Sequence, residues 1–299
     1  MDDLREANAL LTGAAGGLGG HIARALAAQG VRIAASGRRI EPLERLCANL
    51  RRNGAVAEPV IADLSDREQT AGLVDRAEKI VGPLDLLISN AALEPPGAYT
   101  AFADAELLEV AEVNLLAPML LTRHVLPGML ARGRGHVVMI SSLAGRGGNA
   151  FNVPYATTKA GLVGCVRSLR AELEGTPVSA SVICPGFIAK DGMYADIQRE
   201  FGVNAPVALR AVDPDRVADA VVRAITGDRS DMLTTGWPMR PLLAIQELAP
   251  RVAERLIVAT GAPRFFQTVA ELAGRGLVIG KAERANTYEG PYTRSEPTS

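Results

Sequence analysis

Tyr155 lies thirteen residues after Ser142, and Lys159 follows four residues later. On a helix, a four-residue step places two side chains on one face, one turn apart. The chain holds five tyrosines and only four lysines (Lys79, Lys159, Lys190 and Lys281), the other basic residues being arginine. At that scarcity a chance Tyr-x-x-x-Lys would arise about 0.07 times, so an accidental exposed pair is disfavoured. The chemistry available is proton transfer. A free tyrosine has a pKa of about 10 and is a poor base at neutral pH. A neighbouring ammonium favours the phenolate, so Tyr155 could pass a proton to a nascent alkoxide or take one from an alcohol. Ser142 could orient the same oxygen. Asn114 interrupts an apolar helical run, where a buried amide needs partners; a water held there could resupply Lys159 with protons.

Two further segments suggest a dinucleotide. The run Thr12-Gly13-Ala14-Ala15-Gly16-Gly17-Leu18-Gly19 follows a strand-like segment and opens a helical one. Glycines there allow a sharp turn and close approach of backbone to a pyrophosphate, whose charge the helix N-terminus meets. Taken alone, such a turn could equally serve packing. The second strand-like segment ends in Ser36-Gly37-Arg38-Arg39. An acid there would bind the ribose hydroxyl of NAD, whereas arginine suits the 2′-phosphate of NADP. This favours NADP(H) over NAD(H), with Arg38 the stronger candidate and Arg39 the weaker. The bland alternative is a pair of solvated arginines at a helix start.

The elements that must hold these residues alternate. Ala9–Thr12, Val31–Ala35, Val56–Ala62, Leu84–Ser89, His136–Ser141, Val178–Cys184 and Asp231–Thr235 read as strands, separated by amphipathic helical patterns. Several strands are apolar throughout, as buried parallel strands are. The expected fold is α/β: a Rossmann-type, doubly wound parallel sheet of about seven strands with helices on both faces. Residues 1–235 would form this domain. Residues 236–280 would be a helical extension packed on it or on a neighbouring subunit, and 281–299 a polar, disordered tail. Within the extension, Pro241–Thr260 reads as a helix with Leu242, Ile245, Leu248, Val252 and Leu256 on one face. Pro250 should kink or divide it. A shorter helix runs from Pro263 to about Ala273, with Phe265 and Phe266 as anchors.

The chain resembles the short-chain dehydrogenase/reductase family over about residues 5–235. The resemblance rests on TGAAGGLG from Thr12, Asp63 after the third strand, Ser89-Asn90-Ala91-Ala92 after the fourth, Asn114, Ser142, Tyr155-Ala-Thr-Thr-Lys159, and Pro185-Gly186 after the sixth. It implies a catalytic set of Asn114, Ser142, Tyr155 and Lys159. It also implies cofactor contacts from Gly13, Ala15, Gly16, Gly17, Leu18, Gly19, Arg38, Arg39, Asp63, Leu64, Asn90, Ala91, Tyr155, Lys159, Pro185, Gly186 and Ile188. Asp63 would meet the adenine and Asn90 would support the central strand. From residue type alone, Asp63 could instead merely cap a helix. Two positions depart from the family pattern. Ala92 replaces a glycine, which would cost about 1 kcal/mol if that position required φ > 0. The threonine usual after Pro-Gly is replaced around Ala189-Lys190-Asp191, so backbone groups of Phe187 to Ala189 would hold the nicotinamide.

The expected activity is interconversion of a ketone or aldehyde and an alcohol by hydride transfer, with Tyr155 as acid/base. Leu93, Leu143, Phe151, Phe187 and Met193 suggest a pocket for a bulky apolar or aromatic compound. An NAD-dependent alcohol dehydrogenase is the nearest alternative, and a non-catalytic NADP-binding sensor the alternative from another class. A membrane-surface role for the extension is disfavoured by its mixed charge. Net charge is −1, so no basic field points to nucleic acid. Cys47, Cys165 and Cys184 are scattered and the histidines are isolated, so neither a disulfide framework nor a metal site is expected. No signal peptide or membrane-spanning run is read, which fits a cytoplasmic homodimer or homotetramer. The extension favours the dimer.

Overall fold

The computed structural model describes residues 3–206 and 209–277. Seven parallel strands form one sheet: β1 (Asn8–Thr12), β2 (Arg32–Gly37), β3 (Ala57–Ile61), β4 (Leu86–Ser89), β5 (Gly135–Ile140), β6 (Val178–Pro185) and β7 (Asp231–Thr234). Their spatial order is β3-β2-β1-β4-β5-β6-β7. The chain reverses its direction of growth between β1 and β4, and a crevice opens beyond the carboxyl ends of these strands.

Alternation along the strands explains why they are apolar throughout. Leu10, Leu87, Val137 and Val182 point to one face, packed under the helices Ala117–Arg132 and Val153–Glu172. Leu11, Ile88, Val138 and Ile183 point to the other, under the helices Gly17–Ala28 and Pro214–Thr226. Successive residues thus fill two cores, one on each side of the sheet.

The extension forms three helices, Arg240–Leu248, Pro250–Ala259 and Ala262–Leu272. The division falls where proline dictates. Pro250 has no N–H to continue a helix and biases Ala249 to an extended backbone, here φ −144° and ψ 70°. This break alters the expected single apolar face. Leu242, Leu243 and Ile257 turn inward, while Leu248, Val252 and Leu256 stand exposed. Phe265 and Phe266 are buried against Phe187, Tyr194 and Ile197. Residues 278–299, including the tail expected to be disordered, lie outside the described residues.

Candidate active site

The site is built on a glycine turn, three strand ends and one long helix. Gly13 has φ 62°, and a Cβ on it would stand 2.8 Å from Ala91 Cα, so only glycine lets β1 turn this close to β4. Asn90 locks the two together. Its Nδ2 donates to the Thr12 and Gly13 carbonyls, each at 3.1 Å, while its backbone N–H donates to Thr12 Oγ1. The helix Gly17–Ala28 begins without a side-chain cap and without an acid in its first turn, leaving its leading N–H groups directed at the crevice.

The helix Val153–Glu172 carries Tyr155 and Lys159, both buried on its inner face. Lys159 Nζ donates to the Ile140 carbonyl at 2.8 Å and lies 5.5 Å from the centre of the Tyr155 ring. Burial pushes the Lys159 ammonium down to about 8, against the partial support of the Glu94 carboxylate. Ser142 follows β5, and its Oγ accepts from the Ala144 N–H at 3.1 Å. Ser142, Tyr155 and Lys159 all line one cavity of about 430 Å³.

That cavity is a continuous cleft. At one end lie Gly37, Arg38, Asp63 and Leu64. Next come Gly13, Gly16, Gly17, Leu18 and Gly19, then Asn90 and Ala91. Pro185, Gly186 and Ile188 close the β6 side. Beyond Tyr155 the walls are Leu93, Leu143, Phe187 and Met193, roofed by Met239, Leu242, Leu243, Ile257 and Phe266 of the extension. Arg38 is exposed, has no salt bridge among the described residues, and stands at the cleft's open end. Asp63 is not a helix cap: Asp66 caps the helix Arg67–Ala71, and Asp63 instead accepts from the Ser65 N–H and hydroxyl.

The structure draws some expected residues away from the cleft. Ala15 packs its methyl group on the core. Arg39 is exposed on the extended residue that precedes the helix Ile40–Arg52 and does not line the cavity. Phe151 adopts φ 59° and joins the aromatic cluster around Phe265, behind the cavity wall. Asn114 sits in a π-helical turn, Glu112–Leu116, fully buried. Its amide accepts from Leu93 N–H at 2.7 Å and donates to the Leu93 carbonyl and to Thr158 Oγ1, tying the loop after β4 to the Tyr155 helix. Ala92 has no positive φ, so its replacement of glycine carries no strain. Among the backbone groups expected to hold a nicotinamide, the Phe187 carbonyl and the Ala189 N–H are already taken by Val212.

Among the lining residues that were not anticipated is an acid. Glu94 follows Leu93 and faces the cavity, and its Oε1 accepts from Asn152 Nδ2 at 2.5 Å. Burial pushes its carboxyl up to about 7, opposed by that hydrogen bond and by Lys159. An acid lying between the Asn90 motif and Pro95-Pro96 was the available signal.

The residues present fit a dinucleotide. A Cβ on Gly17 would come within 2.3 Å of Gly192 N, so the segment after β6 packs its own backbone directly on the glycine turn, beside the leading N–H groups of the helix. Uncapped N–H groups, a free guanidinium at Arg38 and a carboxylate at Asp63 line the same cleft in the order a nucleotide requires.

Comparison with known proteins places the site among relatives. The family model described as short chain dehydrogenase matches residues 7–200. The ketoacyl reductase HetN of Nostoc sp. is 37% identical over 276 residues, covering 91% of this chain and 95% of its own. Nodulation protein G of Rhizobium sp. is 35% identical, covering 74% and 90%. An actinorhodin polyketide ketoreductase variant crystallised with NADPH superimposes with a TM-score of 0.72 at 30% identity, covering 79% of this chain and 98% of that one. A Burkholderia phymatum short chain dehydrogenase/reductase crystallised with NAD shares the fold, with a TM-score of 0.75 at 23% identity and coverage of 84% and 96%.

Proposed function

The chain belongs to the short-chain dehydrogenase/reductase family of oxidoreductases, and from that premise we propose that it is an NADP(H)-dependent carbonyl reductase acting on a bulky apolar or aromatic substrate. The observation that carries the reading is the single cleft running from Arg38, past the glycine turn, to Ser142, Tyr155 and Lys159.

The nicotinamide, when bound, supplies the hydride. The chain's own residues manage the oxygen. The Ser142 hydroxyl donates a hydrogen bond to the substrate carbonyl and fixes its orientation. The Tyr155 phenol gives its proton to that oxygen as negative charge develops there. Lys159, anchored on Ile140, keeps an ammonium beside the resulting phenolate. Below about pH 8 that ammonium is charged, so reduction is supported at neutral pH. Leu93, Phe187, Met193 and Phe266 exclude water from the reacting centre. Asn114 acts at one remove, holding Leu93 and the Tyr155 helix in register.

The names of the relatives support a ketone as substrate, since HetN is called a ketoacyl reductase and the actinorhodin enzyme a polyketide ketoreductase. Arg38, with no acid at the end of β2, supports NADP(H) over NAD(H). The test is a panel of carbonyls and alcohols, assayed by nicotinamide absorbance with both cofactors. Tyr155→Phe should then lower turnover by about 10²–10⁴-fold and leave NADPH affinity nearly unchanged. Activity retained in that variant overturns the mechanism.

A further inference from the structure

The substrate end of the cleft holds an acid that the proposed proton transfer does not use. Glu94 lines the cavity with Tyr155 and Lys159, on the loop that Asn114 clamps through Leu93. Its one hydrogen-bond donor is the amide of Asn152, the residue that precedes the Tyr155 helix. No salt bridge neutralises it among the described residues. The other acid at this end, Asp196, pairs with Arg199. Among the described residues the cation that acts on it is Lys159, which is committed to the Ile140 carbonyl.

The neighbouring polar atoms have the same bias. An amide must turn its nitrogen toward a carboxylate, and Asn152 does so. Its Oδ1 is thereby left buried without a donor. Gln246 Oε1, on the extension where it lines the same cavity, is likewise buried and without a donor among the described residues. Glu94 thus has a single donor, Asn152, among the described residues, in a cavity whose substrate end is otherwise walled largely by apolar side chains. A carboxylate taken out of water is costly, and burial accordingly raises its pKa, opposed only in part by Asn152 and the more distant Lys159 charge. A ligand with an ammonium group offers three donors and a positive charge at once. An anionic substrate would meet repulsion instead.

We propose that Glu94 is a specificity-determining residue that selects carbonyl and alcohol substrates bearing an ammonium group on an apolar or aromatic body. The inference rests on the oxidoreductase reading for its turnover arm but not for its binding arm. The carboxylate accepts from the ammonium, while Phe187, Met193 and Phe266 enclose the apolar part.

The test uses the full chain loaded with NADP⁺. Calorimetry compares phenylethanolamine with its isostere in which methyl replaces ammonium, in the wild type, Glu94→Gln and Glu94→Asp. Glutamine still accepts from Asn152 but carries no charge. The wild type should bind the ammonium compound about tenfold to a hundredfold more tightly, the worth of a charge-assisted hydrogen bond. Glu94→Gln should bring the two affinities within about threefold of each other, and Glu94→Asp should keep part of the preference. Equal or weaker binding of the ammonium compound by the wild type, binding of neither compound, or a preference that survives Glu94→Gln overturns the proposal. Turnover of aminoacetophenone and propiophenone with NADPH separates the two readings. Reduction of propiophenone without any Glu94-dependent preference leaves the reductase standing and removes the role of Glu94. A Glu94-dependent preference without reduction of either ketone does the reverse.

Discussion

Replacing Lys159 by methionine should make the cofactor-free protein more stable at neutral pH and catalytically inert. A free lysine titrates at 10.5, and burial holds Lys159 at about 8. At roughly 1.4 kcal/mol for each pH unit between those values, the charged side chain costs the fold about 3 kcal/mol at pH 7. Methionine has a similar length and no charge. Against the gain, the Ile140 carbonyl loses its donor at 2.8 Å, a cost of about 1 kcal/mol. Glu94 loses a nearby cation, but with its carboxyl already near 7 it can take up a proton instead. The net expectation is a stabilisation of about 2 kcal/mol. The pH dependence has a definite sign. The folded value lies below the unfolded one, so below pH 8 the lysine is charged in both states and the penalty is full. As pH climbs from about 8 toward 10.5, the folded protein sheds its proton first and the penalty shrinks. Urea unfolding of both proteins at pH 7 and pH 9.5 checks this. A variant less stable than wild type at pH 7, or one with the same gain at both pH values, refutes the reasoning.

Arg38→Asp should weaken NADPH binding about tenfold to a hundredfold and improve NADH binding, because a charge-assisted partner is replaced by a repelling one; calorimetry with both cofactors checks it, and an unchanged preference favours the NAD reading. Truncation after Trp237 should lower the melting temperature, since Phe265 and Phe266 each contribute about 1.5–3 kcal/mol by burial. It should also broaden the substrate range by removing the Leu242, Ile257 and Phe266 roof. Mass in solution, melting and turnover of the truncated chain test this, and no change in any of them makes the extension a mere appendage.

Periodicity carried most of the fold because each strand faces two cores and each surface helix faces one. The strand ends differ from expectation by a residue or two: Val56 already bonds to Ile33 outside β3, and Leu84 is buried two residues before β4 begins. Local pattern could not show what depends on distant contacts. The hydrogen bonds that satisfy Asn114 in its π-turn come from Leu93 and Thr158, far away in sequence. The face of the extension differs from expectation at Leu248, the last residue before the break at Ala249, and at Val252 and Leu256 beyond it, where the second helix no longer continues the first. The site motifs were legible at Ser142, Tyr155, Lys159, Arg38 and the glycine turn, where short spacing encodes the geometry. Glu94, Gln246 and Met239 were not, because they come to the cavity only once the chain has folded. Phe151 shows the opposite failure: its type suited the pocket, but its left-handed backbone turned it into the aromatic cluster behind the wall.

The contact between Gly17 and Gly192 has a kinetic meaning. The segment after β6 presses its backbone onto the glycine turn so closely that no Cβ fits between them. His21 fastens the same segment, with one ring nitrogen at 3.1 Å from Asp191 and the other at 2.5 Å from Asp215. A dinucleotide lying along that turn would be roofed by the segment, whereas the substrate end of the same cleft lies toward the extension helices. Access to the two ends of the cleft would then be unequal. The nucleotide would enter first and leave last, each departure waiting for the 191–192 segment to lift. Steady-state kinetics would be ordered, with the oxidised nucleotide competing against the reduced one and not against the carbonyl compound. The slow step of a cycle would be the loosening of this clasp after the chemistry is done.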